Sequence, residues 1–172
     1  MLKVLAFDCF GTVFDMSGID RSEVSDYVKS SKGKSGEEWQ PLDLPQSWFG
    51  LRAHPDSADG IRLLRSKYIC VALSNGPVHL INHISRVAGI DWDLIVPIQF
   101  LRVYKDHPDA YKSLFSLYPF EPGEFAMITA NPGFGDVEAS SALGMKPIVI
   151  RGESPLKNIS YLYEMLTQLE RS

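Results

Sequence analysis

Five short apolar runs punctuate this chain: Lys3–Phe7, Ile69–Leu73, Asp93–Ile98, Phe125–Thr129 and Pro147–Ile150. Each is too short for an ordinary helix and fits a buried strand. Segments with helical spacing separate most of them. Ser57–Ser66 places Ile61, Leu64 and Arg65 at that spacing, and Val78–Val87 places Leu80, Ile81, Ile84 and Val87, with Gly89 as a natural stop. Pro108–Leu117 and Val137–Leu143 are predicted as two further helices, the second closed by Gly144. Pro155–Glu170 carries Leu156, Ile159, Leu162, Tyr163 and Leu166 on one face, a core-facing stripe. Strands alternating with helices predict an α/β fold: a doubly wound, mostly parallel, right-handed sheet covered on both faces. In such a sheet ligands bind beyond the carboxyl ends of the strands.

Residues 16–50 break the rhythm. Ser30-Ser31-Lys32-Gly33-Lys34-Ser35-Gly36 is polar, and Trp39-Gln40-Pro41-Leu42-Asp43-Leu44-Pro45 has two prolines and little periodicity. The segment reads as a minimal cap insertion over or beside the site, with the core formed by 1–15 and 51–172. Gly33-Lys34-Ser35 is similar to the end of a phosphate-binding loop, but Val28 stands where the leading glycine belongs and no strand precedes it, so a solvated loop is predicted.

Composition narrows the function. A net charge of −4 offers no basic face for nucleic acid or an acidic membrane. No apolar stretch approaches a membrane span, and the amino terminus does not read as a signal peptide. Cys9 and Cys70 fall in separate strand-like runs and suit buried free thiols in a reducing, cytoplasmic setting.

Chemistry-bearing residues collect at the strand ends. Asp8 leaves the first run and is followed by Gly11 and Thr12, which places a carboxylate at a loop mouth over a sharp turn. After the second run comes Ser74-Asn75-Gly76, with hydroxyl, amide and backbone N–H donors for an anion. Beyond the third lie Lys105 and Tyr111; a lysine there can pair with the Asp8 carboxylate and with an anionic substrate. The fourth is followed by Thr129, Asn131 and Asp136. Singly these are weak signals; in this order they specify one centre.

The phrase Phe7-Asp8-Cys9-Phe10-Gly11-Thr12 and the groups that follow it resemble the haloacid dehalogenase (HAD) superfamily across the chain outside 16–50. The nearest pattern is the L-2-haloacid dehalogenase branch, through aromatic Phe10, the Ser74-Asn75 pair, Lys105 with Tyr111, and Thr129, Asn131 and Asp136. The resemblance implies that Asp8 is a nucleophile held by Thr12 and Ser74 and paired with Lys105. It also implies that Phe10, Asn75 and Tyr111 contact substrate or leaving group, while Asn131 and Asp136 organise hydrolysis of an ester intermediate. The chain departs from the branch in having Phe10 where tyrosine is usual and in the wider Asn131–Asp136 spacing. Its shortened cap also lacks a marked arginine: Arg21 and Arg52 only flank the insertion.

Phosphatases of the superfamily carry a second aspartate at position 10 that protonates the leaving alkoxide, a service worth about a hundred- to ten-thousand-fold in rate. Phe10 cannot supply it, whereas halide leaves as a stable anion. Asn131 also removes a carboxylate from the phosphatase magnesium site, leaving Asp8, Asp136 and the Phe10 carbonyl. The expected function is therefore cofactor-free hydrolysis of a carbon–halogen bond in a small anionic 2-haloacid, with no metal ligand assigned. A Mg2+-dependent phosphohydrolase and a catalytically impaired binding scaffold are the alternatives. A second subunit could close the pocket through Trp39, Trp48 or Phe49, although local core is the more ordinary role for such rings. His79 and His83 lie four apart on a helix without a third ligand and read as structural. Strand alternation turns Cys9 away from the mouth.

Overall fold

The computed structural model describes residues 1–171. Strand β1 (Val4–Phe7) is wholly buried and occupies the centre of a five-stranded parallel sheet. It is flanked by β4 (Ile69–Ala72) and β6 (Phe125–Thr129), with β5 (Leu94–Ile95) and β7 (Lys146–Val149) at the edges. Phe7 lies in register with Ala72 on one side and Ile128 on the other, so three strands end at one level. The chain runs outward from β1 through β4 to β5, then crosses back to β6 on the opposite side. That reversal opens a crevice at the carboxyl ends of β1 and β6.

Alternation along β1 explains the two layers. Leu5 and Phe7 pack with Ile61 and Leu64 of α2 (Ser57–Arg65), Ile81 of α3 (Val78–Ala88) and Leu162 of α6 (Ile159–Leu169). Val4 and Ala6 point the other way, among Val71, Met127 and the Tyr111 and Leu114 side chains of α4 (Pro108–Leu117). Each fully buried apolar side chain of this kind contributes about 1.5–3 kcal/mol. Helix α2 meets α6 at Gly60, where a Cβ would lie 2.7 Å from Ile159 Cγ2; only glycine permits that approach.

Several predicted boundaries move. The third strand shrinks to β5, because the chain turns at Pro97 into a short 3-10 helix, Ile98–Leu101. The last strand begins one residue earlier, at Lys146. Helix α5 (Asp136–Ala142) starts one residue earlier, after Gly135 at φ 93°. Helix α6 starts at Ile159, not Pro155, because Asn158 Oδ1 accepts the Tyr161 N–H at 2.9 Å and caps the first turn.

The larger difference falls between β2 (Phe14–Asp15) and β3 (Arg52–Ala53), which pair antiparallel and bring the ends of the intervening segment together. That segment contains an eleven-residue helix, α1 (Arg21–Ser31), which reading 16–50 only as a minimal insertion leaves unassigned. Asp20 caps it, accepting the Ser22 N–H at 2.7 Å. Only Ser31 of the helix is fully buried, so its core-facing pattern is faint. Trp48 is buried as expected for local core, while Trp39 and Phe49 are half-buried; Phe49 stacks on His79 and His83. Gly33 donates its N–H to Asp106 Oδ2, and Lys34 is exposed. Cys9 and Cys70 are buried free thiols. Among the described residues no helix is long and apolar enough to cross a membrane.

Candidate active site

Asp8 stands one residue past the end of β1, and its backbone N–H still bonds the Ile128 carbonyl of β6, which fixes where the carboxylate emerges. Gly11 follows at φ 85°, a left-handed conformation that lets the loop turn back so that Thr12 faces its own strand. Thr12 Oγ1 donates to Asp8 Oδ2 at 2.8 Å and accepts the Ala130 N–H at 2.8 Å, tying the first loop to the one after β6. Asn131 Nδ2 donates at 2.9 Å to the same Oδ2 and at 2.9 Å to the Phe10 carbonyl.

The other carboxylate oxygen, Oδ1, lies 2.6 Å from Lys105 Nζ, which also reaches Asp136 Oδ2 at 2.9 Å. All three groups are buried: Lys105 and Asp8 are 6% exposed and Asp136 2%. Burial alone would pull the Lys105 ammonium down, but Asp136 and Asp8 overcome it and hold the group well above its ordinary range. Burial raises the Asp136 carboxyl, Lys105 opposes that rise, and Asp8 adds to it. Two acids share one cation, so the cluster carries excess negative charge and favours loss of one carboxylate charge.

These groups floor a cavity of about 720 Å3. Asn75 also lines it. Its Oδ1 accepts the Lys105 backbone N–H at 2.7 Å, an interaction only the oxygen can make, so the amide NH2 is left for the cavity. Phe10 lines the same space, packed edge-on against Phe14, Tyr27 and Trp48.

Two sequence-derived roles need correction. Ser74 does not hold Asp8: it is buried, its Oγ faces the Gly76 N–H at 3.4 Å, and it sits beside the Cys9 thiol. Tyr111 is not a wall of the cavity. It is fully buried behind Asp136, donating to Oδ1 at 3.2 Å, because α4 brings its hydroxyl to the far side of that carboxylate. Neither Arg21 nor Arg52 lines the cavity.

The sequence reading missed the roof. Val24, Tyr27 and Val28 of α1 all line the cavity, and burial holds the Tyr27 phenol protonated. Their i, i+3, i+4 spacing behind Asp20 was the available signal. Arg151 was also missed. Its Nε donates to the Thr12 carbonyl at 2.7 Å, and its Nη1 and Nη2 reach the Asp56 carboxylate at 3.0 and 3.1 Å. It braces the loop that carries Asp8.

A magnesium ion suits these residues poorly. Asp8 Oδ2 and the Phe10 carbonyl both accept from Asn131 Nδ2, while Asp8 Oδ1 and Asp136 Oδ2 accept from Lys105. Oxygens already facing hydrogen-bond donors and an ammonium are turned from a cation. Among the described residues no group of three or more His, Cys, Asp and Glu side chains could hold a metal.

The sheet order, with an aspartate beyond its central strand paired to a lysine, gives an α/β architecture shared with solved haloacid dehalogenase structures. The chain is similar in sequence to curated haloacid dehalogenases. It is 26% identical to the (S)-2-haloacid dehalogenase of Xanthobacter autotrophicus over 136 residues, 78% of this chain and 52% of that protein. The solved structure of that organism's L-2-haloacid dehalogenase with chloropropionic acid covalently bound superposes with a TM-score of 0.69. The match has 21% identity and covers 97% of this chain and 83% of that one. Another L-2-haloacid dehalogenase structure gives a TM-score of 0.75 at 22% identity, covering 98% of this chain and all of the other. The chain spans about half the length of the curated relatives it matches. No protein-family model matches it.

Proposed function

We propose that this protein hydrolyses the carbon–halogen bond of a 2-haloacid, with Asp8 as nucleophile and a covalent ester intermediate. The observation that carries the reading is the pairing of a fully oriented carboxylate with an apolar neighbour. Thr12, Asn131 and Lys105 hold Asp8 at 2.8, 2.9 and 2.6 Å, while Phe10 offers no proton to a leaving group. Such a centre suits expulsion of an anion that is stable unprotonated. In the first step an Asp8 oxygen bonds to carbon 2 as the carbon–halogen bond breaks, and the electron pair leaves with the halide. The third Lys105 proton and the Asn75 NH2 hold the substrate carboxylate.

Esterification removes the Asp8 charge and leaves Asp136 as the sole partner of Lys105. Water then attacks the Asp8 carbonyl carbon, with Asn131 Oδ1 orienting it and Asp136 taking its proton. Burial of Asp136 raises its affinity for that proton, which improves it as a base. The tetrahedral intermediate collapses, the departing 2-alkoxide takes the proton from Asp136 as the hydroxy acid, and the water's second proton leaves Asp8 to solvent, restoring its carboxylate. Residues 16–50 serve as a reduced cap that keeps bulk water from the carboxylate.

Halide release from a panel of 2-haloacids tests the reading. Turnover that Asp8→Ala abolishes and a chelator leaves intact is the expected result; magnesium-dependent phosphate release from generic esters, with no halide release, would overturn it.

A further inference from the structure

Resting on that reaction, we infer that the substrate is a 2-halo monocarboxylic acid with a large apolar substituent, seated between α1 and the Pro132–Phe134 turn. The cavity holds about 720 Å3. Pockets of about 300–1,000 Å3 enclose drug-sized molecules, so a three-carbon acid would leave most of this space to water.

The walls are chemically divided. Polar groups concentrate on the floor, at Asp8, Asn75, Lys105 and Asp136, where one carboxylate and the departing halide are handled. The lining also holds apolar Met16, Val24 and Val28, before and along α1, and Phe134 and Ala139 from the turn and helix that follow β6. Phe134 is 55% exposed, a large apolar surface on a short turn that a buried substituent would cover. Helix α1 spends few of its side chains on the protein core, since only Ser31 is fully buried, yet it aims an apolar stripe at the cavity.

The charge of the remaining lining disfavours a second anionic group. Outside the floor the lining carries Lys32 against Asp106 and Glu138. A dicarboxylate or a phosphorylated acid would bring its distal charge toward two carboxylates and one ammonium, whereas an alkyl or aryl tail meets no such repulsion.

The test is a chain-length series. For 2-bromo acids from propionate to octanoate, kcat/KM is expected to rise about fourfold for each methylene buried, and 2-bromosuccinate to fall below 2-bromobutanoate. Calorimetric binding of unhalogenated straight-chain alkanoates to the intact protein reads the cavity without the chemistry, and is expected to tighten with length. Val28→Trp narrows the roof, and Phe134→Ala, at an exposed position, removes the far wall without touching the core; each is expected to flatten the length dependence. Values of kcat/KM and affinity that are highest for the shortest acids, or a slope unchanged in both variants, would overturn the assignment. Length-dependent alkanoate binding without halide release supports the cavity assignment and overturns the dehalogenation reading beneath it.

Discussion

Asn131 donates its side-chain amide to Asp8 at 2.9 Å, so a hydrogen-bond donor faces the carboxylate oxygen that a bound cation would need. The contact orients one oxygen of Asp8 and, through the Phe10 carbonyl, pins the loop that carries it. Asn131→Asp replaces a donor by a third carboxylate beside Asp8 and Asp136. Halide release is expected to fall about a hundred- to a thousand-fold, the usual cost of losing one oriented donor. Steady-state kinetics at neutral pH checks this, and added magnesium is expected not to restore the rate.

Lys105 is the sole cation between two buried acids. Lys105→Met leaves both carboxylates uncompensated, and urea unfolding is expected to register a loss of about 3–5 kcal/mol together with loss of turnover. In the native protein the ammonium lies well above its ordinary value of 10.5, so its contribution is fully present below 10.5 and is lost only as pH rises through the higher folded value. A pH–rate profile is therefore expected to show no alkaline limb from Lys105 below pH 10.5. Asp136 is raised above 3.8, so the acid limb of the hydrolytic step is expected above that pH.

Asp56 titrates in the opposite sense. Burial would raise its carboxyl, but Arg151 and the Ile159 N–H outweigh that and hold it below 3.8. Its stabilisation is present above 3.8 and is lost as pH falls through the depressed folded value. Asp56→Asn is expected to remove that portion of the acid dependence in thermal unfolding measured from pH 7 to pH 2. Arg151→Ala breaks the same pair and the bond to the Thr12 carbonyl, and is expected to cost about 1.5–3 kcal/mol.

Gly76 lies against the aromatic wall. A Cβ there would stand 2.3 Å from Phe10 Cε2, and Phe10 cannot retreat from the Phe14, Tyr27 and Trp48 rings around it. Gly76→Ala is expected to destabilise by about 1–3 kcal/mol through overpacking. Differential scanning calorimetry reads that loss, and a parallel drop in halide release is expected as Phe10 moves at the cavity wall.

What was legible in the sequence follows the physics of burial. Val4–Phe7 and Phe125–Thr129 are buried on both faces, so each reads as a continuous apolar run, and the α/β alternation follows from them. Asp8 with Thr12, Lys105, and Asn131 with Asp136 fall in three distant stretches of sequence, but a parallel sheet brings strand ends to one edge, and their order along the chain points to one centre. Helix α1 was not legible, because a helix covering a cavity buries little of itself and its apolar stripe is short. Ser74 and Tyr111 were placed near the right centre with the wrong partners. Strand and helix periodicity specify a face, but which neighbour a hydroxyl meets is decided by packing.

The covalent role of Asp8 is tested most directly by a single turnover in oxygen-18 water, followed by mass spectrometry of the Asp8 peptide and of the hydroxy acid. Attack of water on an Asp8 ester leaves the heavy atom in the Asp8 carboxylate and the light one in the product, and that is the expected result. Heavy oxygen in the product, with Asp8 unlabelled, would mean that water displaces the halide directly and would contradict the account.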